Sequence, residues 1–156
     1  MTPTSTRCLV LACGNPLRGD DGAGPYLAAW AQDRFRAEPT LRILACHQWT
    51  PELAEDIAQA ESVLFIDCSI QSPPGAVTLA PVRAAVETIV PATHHLGAAE
   101  LLALARELYQ SQPRQALLLT IGAGSFDLGE TFSASVQAAL PEAAALLEKT
   151  ILQSLV

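Results

Sequence analysis

Residues 63–70, VLFIDCSI, are apolar without interruption until Asp67, and this segment constrains the fold more than any other. A half-buried strand alternates apolar and polar side chains, whereas a strand that is apolar on both faces must be covered on both sides. Such strands lie in the middle of parallel sheets, whose strands are joined by crossover connections that are usually helical. The segment therefore predicts a parallel sheet with helices on both faces.

The rest of the chain alternates further strand patterns with helical patterns. We expect strands at residues 8–13, 41–46, 76–82 and 115–124, and helices at residues 24–37, 50–60, 97–109 and 133–155. This alternation predicts an α/β fold, a three-layer α/β/α sandwich around a mainly parallel, twisted sheet. With 156 residues, half of them hydrophobic, we expect a single domain over residues 1–156.

Local signals refine the ends of these elements. Thr50 is expected to cap the helix at 50–60, with Pro51 at its first position. Ser133 is expected to cap the last helix, and Pro141 predicts a kink or break within it. Pro81 predicts that the strand at 76–82 ends at a sheet edge or a bulge.

Charge and composition exclude several classes of function. The formal net charge is −7, so the positive surface that nucleic acids and anionic membranes attract is missing. No apolar run reaches the roughly 20 residues of a membrane span, and the first residues do not resemble a signal peptide. We therefore expect a cytoplasmic protein whose four cysteines, without a C-x-x-C pair, are buried thiols.

Polar side chains follow several of the predicted strands. In CGNPLRGDDGAG, Asp20 and Asp21 come directly after the first strand, Asp67 ends the strand at 63–70, and His94 and His95 precede the third helix. Ligands of such folds bind beyond the carboxyl ends of the strands. Carboxylates and an imidazole at one rim describe an open divalent metal site suited to zinc, nickel or cobalt.

Structural alternatives exist for each of these residues. An aspartate between a strand and a helix is more often a helix cap than a ligand, and a loop histidine is usually solvated. Asp67 is harder to explain in this way, because a carboxylate after VLFI approaches the core and needs a partner or a metal. Taken together, the members of the set favour a functional site.

Other chemistries fit less well. The glycines around Ser125 miss the G-x-S-x-G spacing of a nucleophilic serine. Cys68 is expected to be a packed thiol, turned to the strand face opposite Asp67 and away from the rim histidines. The glycine-rich loop lacks the spacings of nucleotide-binding loops, and its two acids would repel a phosphate.

The segments GNPLRGDDGAGPYLA, FIDCS and THHLG together resemble the hydrogenase maturation endopeptidases, and the likeness extends from the first strand to TIGAGSFDLGETFS. The family fold is an α/β/α sandwich with a twisted sheet. The resemblance implies an endopeptidase that removes the C-terminal extension from the precursor of a [NiFe]-hydrogenase large subunit after nickel insertion. Cleavage would follow a histidine or arginine after the last metal-binding cysteine motif of that substrate.

The resemblance also implies roles for individual residues. The metal ligands and catalytic residues of the family correspond to Asp21, Asp67 and His94. Glutamate takes the first of these places in some members, so Asp21 fits the pattern. His95 takes a variable position and is expected to lie behind the ligands or in solvent. The nickel would come from the substrate, and zinc or cadmium could replace it in a crystal.

Three further residues near the predicted site have less specific roles. Gly14 and Asn15 are expected to shape the loop, and His47, at the end of the second strand, could touch substrate but more often would have a structural role. Substrate nickel could polarise the scissile carbonyl, or activate a water with a carboxylate as base, and the sequence leaves both open.

The expected protein is a monomeric, nickel-dependent processing protease whose partner is the large-subunit precursor. The alternatives are a non-catalytic nickel- or precursor-binding accessory protein with the same ligands, and a module that binds a nucleotide or phosphate through the glycine-rich loop.

Overall fold

The structure, a computed structural model, describes residues 5–86 and 96–156. Within these ranges a five-stranded sheet is flanked by four helices. The strands are β1 (Thr6–Cys13), β2 (Leu41–Cys46), β3 (Ala60–Ser69), β4 (Val77–Pro81) and β5 (Gln115–Gly122). The helices are α1 (Ala23–Arg34), α2 (Leu53–Ala58), α3 (Ala98–Tyr109) and α4 (Ala134–Ser154), and a short 3₁₀ helix, Gly19–Gly22, precedes α1.

The strand order is β2-β1-β3-β5-β4, with β3 at the centre as its apolar sequence predicts. The β1–β2, β1–β3 and β3–β5 pairs are parallel, and β4 pairs antiparallel with β5 at the edge. Pro81 ends this edge strand, where a missing backbone donor is tolerated. The mainly parallel sheet is therefore confirmed.

Two apolar clusters cover the two faces of the sheet. On one face, Val10 and Leu64 pack with Leu27 of α1 and Leu147 of α4. On the other face, Leu11, Phe65 and other residues pack with residues of α2 and α3. Alternate residues of β1 and β3 thus point into different clusters, which explains why the middle of each strand is continuously apolar. The three-layer α/β/α arrangement is confirmed.

Two local predictions need correction. Thr50 does not cap α2, because Leu53 N–H donates to Thr50 O at 3.1 Å in a tighter turn and the helix begins only at Leu53. Pro141 does not break the last helix, since α4 continues from Ala134 to Ser154, and a kink at Pro141 stays a prediction. Pro141 is exposed, while Leu140 and Leu147 are buried in the core, so packing on both sides of the proline outweighs one lost hydrogen bond. Ser133 does cap α4, as its hydroxyl accepts from Val136 N–H.

The described residues contain no helix long and apolar enough to cross a membrane.

The order of the strands determines where ligands can bind. From β1 the chain continues to β2 on one side, and β3 then pairs with β1 on the other side. A crevice opens at such a switch point, outside the carboxyl ends of the strands.

Candidate active site

An open cleft of about 690 Å³ lies at this switch point. Every parallel strand contributes to it through its carboxyl end or the loop that follows. The lining residues are Cys13, Asn15, Arg18, Asp21, His47, Gln48, Asp67, Cys68, Ile70 and Phe126. The structure therefore brings Asp21 and Asp67 together in one cleft, although 46 residues separate them in the sequence.

Asp67 lies on β3, two residues before the strand ends. Its neighbour Ile66 pairs with Ala12 of β1, and Asp67 itself pairs with Thr120 of β5. The Asp67 side chain is partly exposed, and Oδ1 accepts a hydrogen bond from Cys68 N–H at 2.8 Å. The central strand thus holds this carboxylate in the lining of the cleft.

Asp21 reaches the cleft from the 3₁₀ helix after β1. Its Oδ2 accepts a hydrogen bond from Asn15 N–H at 2.7 Å, and among the described residues no donor contacts Oδ1. Asn15 Oδ1 in turn accepts from Leu17 N–H at 2.9 Å, which closes an Asx turn. This agrees with the prediction that Asn15 shapes the loop, and it leaves one oxygen of Asp21 available to a ligand.

Gly14 shapes the same loop by close approach of the backbone. Its φ is +148°, and a Cβ at this position would lie 1.9 Å from the carbonyl oxygen of Asp21. Only glycine combines that backbone angle with so close a contact. The prediction for Gly14 therefore agrees with the structure.

Asp20 has a different role from its neighbour. Its side chain is fully buried and does not line the cleft. Oδ2 accepts hydrogen bonds from Gly124 N–H at 2.7 Å, Ser125 N–H at 2.8 Å and the Ser133 hydroxyl at 2.7 Å, and Oδ1 accepts from Ser133 N–H at 2.7 Å. Burial alone would raise the pKa of Asp20, but these hydrogen bonds outweigh it and lower the pKa below its ordinary value.

Asp20 therefore fastens the loop after β1 to the loop between β5 and α4. Topology places both Asp20 and Asp21 at the rim as candidate ligands and does not choose between them, whereas the structure buries Asp20 away from the cleft. The alternative, a helix cap, is correct in one respect, because the Asp20 carboxylate does accept hydrogen bonds from backbone N–H groups. These groups belong to a distant segment and not to the helix that follows Asp20. One acid of the pair holds the site together and the other faces the cleft.

His47 directly follows β2 and lines the cleft, with its side chain exposed. Its carbonyl oxygen accepts from the Cys13 thiol at 3.5 Å. The rim position expected for His47 is confirmed, and contact with substrate stays a prediction. His94 and His95 lie outside the described residues. Within the described ranges, no three histidine, cysteine, aspartate or glutamate side chains are arranged to hold a metal ion.

Cys68 lines the cleft beside Asp67, although the sequence predicts that it turns away. Cys68 is partly buried and lies one residue before the end of β3, where the cleft lining includes successive residues of the strand. Burial, together with the charges of Asp20, Asp67 and Asp21, raises the pKa of Cys68 to about 12. The thiol therefore stays protonated near neutral pH, which agrees with an inert cysteine.

Five lining residues were not identified as site residues from the sequence. One of them, Cys13, was expected to be a buried thiol but is partly exposed at the end of β1. The others follow β1, β2, β3 and β5 respectively, so their places after strands were the available signal. They are Arg18, Gln48, Ile70 and Phe126.

The glycine-rich loop offers no cradle for a phosphate. Every backbone N–H group from residue 14 to residue 21 donates to an acceptor within the protein, and Pro16 has none. A phosphate-binding loop instead directs its N–H groups at the ligand. Together with the two acids, this argues against the nucleotide alternative.

Solved structures of known proteins share this architecture. The hydrogenase maturating endopeptidase HybD from E. coli superimposes with a TM-score of 0.79 at 22% identity, covering 96% of this chain and 94% of that one. For the [NiFe] hydrogenase maturation protease HybD from Thermococcus kodakarensis, the TM-score is 0.64 at 26% identity, over 93% and 99% of the two chains. For HycI from Thermococcus kodakarensis KOD1, the TM-score is 0.68 at 25% identity, over 93% and 92%.

No protein-family model matches the chain, and no curated protein matches its sequence. The structural likeness nevertheless covers nearly the whole length of both partners in each comparison. The resemblance to the hydrogenase maturation endopeptidases that the sequence indicates is therefore confirmed, and the chain has the fold of that family.

Proposed function

We propose that this protein is a processing endopeptidase that removes the C-terminal extension from the precursor of a [NiFe]-hydrogenase large subunit after nickel insertion. The observation that carries the proposal is the convergence of Asp21 and Asp67 in an open cleft at the switch point of a fold shared with hydrogenase maturation endopeptidases. The sequence segments that resemble the family, one of which contains His94, also support the proposal.

The two carboxylates suit a cation that arrives with the substrate. Asp21 has an oxygen without a donor among the described residues, and Asp67 lines the same cleft. Carboxylate oxygens together with one imidazole nitrogen form a ligand set of borderline hardness that nickel accepts. In this proposal, Asp21, Asp67 and His94 bind nickel already held by the precursor, so cleavage depends on prior insertion of the metal.

The chain's own groups also limit the chemistry. Cys13 and Cys68 border the carboxylates, but burial and those carboxylates raise the pKa of each thiol to about 12. Ser125 is occupied in the loop, since its N–H donates to Asp20 and its hydroxyl accepts from Asp127 N–H. A covalent cysteine or serine mechanism therefore has little support, and hydrolysis by water with Asp21 or Asp67 as base, or with nickel polarising the carbonyl, remains.

The test is the mass of a nickel-loaded precursor and of its nickel-free counterpart after incubation with the protein. We expect loss of the C-terminal peptide from the loaded form alone. Asp67→Asn should abolish this cleavage without loss of fold, and Asp21→Glu should retain appreciable activity because glutamate also provides a carboxylate. Asp33→Asn, on the exposed surface of α1, is the matched control and should cleave at the wild-type rate.

Unimpaired cleavage by Asp67→Asn would remove this residue from the assignment. A precursor that binds but keeps its full mass with the wild-type protein would instead favour the accessory-protein alternative.

A further inference from the structure

An exposed apolar surface borders the candidate site on the side of α1. Leu17 is 57% exposed, Leu128 is 87% exposed and Tyr26 is 49% exposed. Tyr26 packs edge-on against Phe132, with ring centroids 5.7 Å apart, and both line a groove of about 320 Å³. Leu17, Tyr26, Leu128, Glu130 and Phe132 are called the Leu128 surface below.

The Leu128 surface and the cleft share the same two loops. Asn15, Arg18 and Asp21 of the first loop line the cleft, while Pro16 and Gly22 of that loop line the groove. In the second loop, Phe126 lines the cleft, and Glu130 and Phe132 line the groove. A protein bound over the cleft would therefore meet the Leu128 surface next.

The surface is held in place although its side chains are exposed. Gly129 N–H donates to Leu17 O at 2.8 Å, and Gly19 N–H donates to Gly129 O at 2.9 Å. The four hydrogen bonds to the buried Asp20 carboxylate also join these two loops, beneath the protein surface. A preordered surface loses little conformational entropy on binding, which favours its use as an interface.

The charges around the surface indicate what it binds. Asp127 and Glu130 flank Leu128, both are exposed, and neither forms an ion pair with another described residue. One exposed cation, Arg18, lies on the neighbouring loop, where its backbone bridges Gly129, so the acids outnumber the basic residue. A second copy of this chain would bring the same acids face to face, in a protein whose net charge is already −7. The complementary partner is an apolar side chain with a basic residue close by.

We propose that the Leu128 surface is a docking site for an apolar and basic segment of the precursor, separate from the segment that is cleaved. This rests on the proposed function, since the cleft and the surface would bind one substrate together. Exposed apolar residues that stand singly need no explanation, but a fastened group of them beside an active-site cleft is typical of an interface.

The test compares Leu128→Ser with Leu108→Ser, the same substitution at an exposed leucine near the end of α3. With nickel-loaded precursor as substrate, Leu128→Ser should raise KM about tenfold with kcat unchanged, which corresponds to about 1.4 kcal/mol of binding. Leu108→Ser should change neither. Precursor binding is also measured by calorimetric titration in the Asp67→Asn background, which should not cleave the precursor. Adding Leu128→Ser to this variant should raise the Kd about tenfold, the same factor as for KM.

Charge is tested separately with Glu130→Lys against Glu142→Lys, an exposed glutamate on α4. Only Glu130→Lys should weaken precursor binding and reduce its dependence on salt. Unchanged KM and Kd in Leu128→Ser would overturn the docking site while cleavage by the wild type still supported the proposed function. Self-association of the wild type that Leu128→Ser abolishes would assign the surface to a second copy and also overturn the proposal.

If the wild type binds the precursor without cleaving it, the proposed function fails and the Kd comparison still decides on the docking site. If the wild type does not bind the precursor, both proposals fail.

Discussion

Replacing the buried Asp20 by asparagine measures how strongly one side chain holds the two site loops together. Asparagine has nearly the same shape, so the change removes charge without making a cavity. With its amide oxygen in the place of Oδ2, the new side chain keeps three acceptor contacts, to Gly124 N–H, Ser125 N–H and the Ser133 hydroxyl. Its amide N–H₂ group then faces Ser133 N–H, where donor meets donor.

The expected loss follows from these contacts. A hydrogen bond to a charged group contributes about 1.5–3 kcal/mol, against about 0.5–1.5 kcal/mol for a neutral one. One bond is lost and three are weakened, but bonds that share one carboxylate are not additive, so we expect the free energy of unfolding to fall by about 3 kcal/mol. For a chain of this length, that corresponds to a Tm about 9 °C lower.

The assay is urea unfolding at pH 7, followed by circular dichroism, for the wild type, Asp20→Asn and the surface control Asp33→Asn. The control breaks an exposed ion pair between Asp33 on α1 and Arg36, which follows that helix, and should cost less than about 0.5 kcal/mol. A loss below about 1 kcal/mol for Asp20→Asn would refute the reasoning, because the four donors would then have other acceptors within reach.

The dependence on pH gives a second check. The pKa of Asp20 lies below its ordinary value of 3.8 in the folded protein. A carboxyl with a lowered pKa contributes stability above its unfolded-state pKa and loses that contribution as the pH falls through the folded-state pKa. The difference in the free energy of unfolding between the wild type and Asp20→Asn should therefore be constant from pH 7 to about pH 5. It should become smaller as the pH falls below 3.8.

Three further predictions concern the site itself. Gly14→Ala would place a Cβ 1.9 Å from Asp21 O at a φ of +148°, so it should displace Asp21 and lower the cleavage rate at least about tenfold, measured by precursor mass against time. Burial and neighbouring carboxylates raise the pKa of the Cys13 thiol to about 12. Because only the thiolate reacts, alkylation of Cys13 by iodoacetamide at pH 7.5 should be at least about a hundredfold slower than alkylation of glutathione. Equal rates, measured by peptide mass, would contradict this prediction. His94→Ala should abolish cleavage and His95→Ala should reduce it only mildly, and the reverse result would mean that the other histidine is the ligand.

The fold was largely predictable because it depends on the distribution of apolar residues along the chain. The strand at 41–46 has the predicted bounds, and β3, predicted at 63–70, runs from Ala60 to Ser69 at the centre of the sheet. The helix cap expected at Thr50 and the break allowed for at Pro141 are absent for a common reason. A capping residue or a proline biases only its own turn, whereas packing of the whole helix against the sheet decides where that helix starts and whether it continues.

The site was predictable only in part. Topology alone brings Asp67 and the loop after β1 to one rim, because parallel strands end at the same edge of a sheet. It could not separate Asp20 from Asp21, which are adjacent in sequence and of the same type. Their difference depends on the four donors that the β5–α4 loop presents to Asp20, more than a hundred residues away.

The sequence by itself determined the layers, the central strand and the candidate acids, because burial patterns and motif spacings are properties of the chain. Tertiary structure decided which acid faces the cleft, which two thiols border it and which apolar side chains are exposed beside it. The physical reason is that hydrogen-bond partners and solvent exposure depend on contacts between segments distant in the chain, and no local pattern records those contacts.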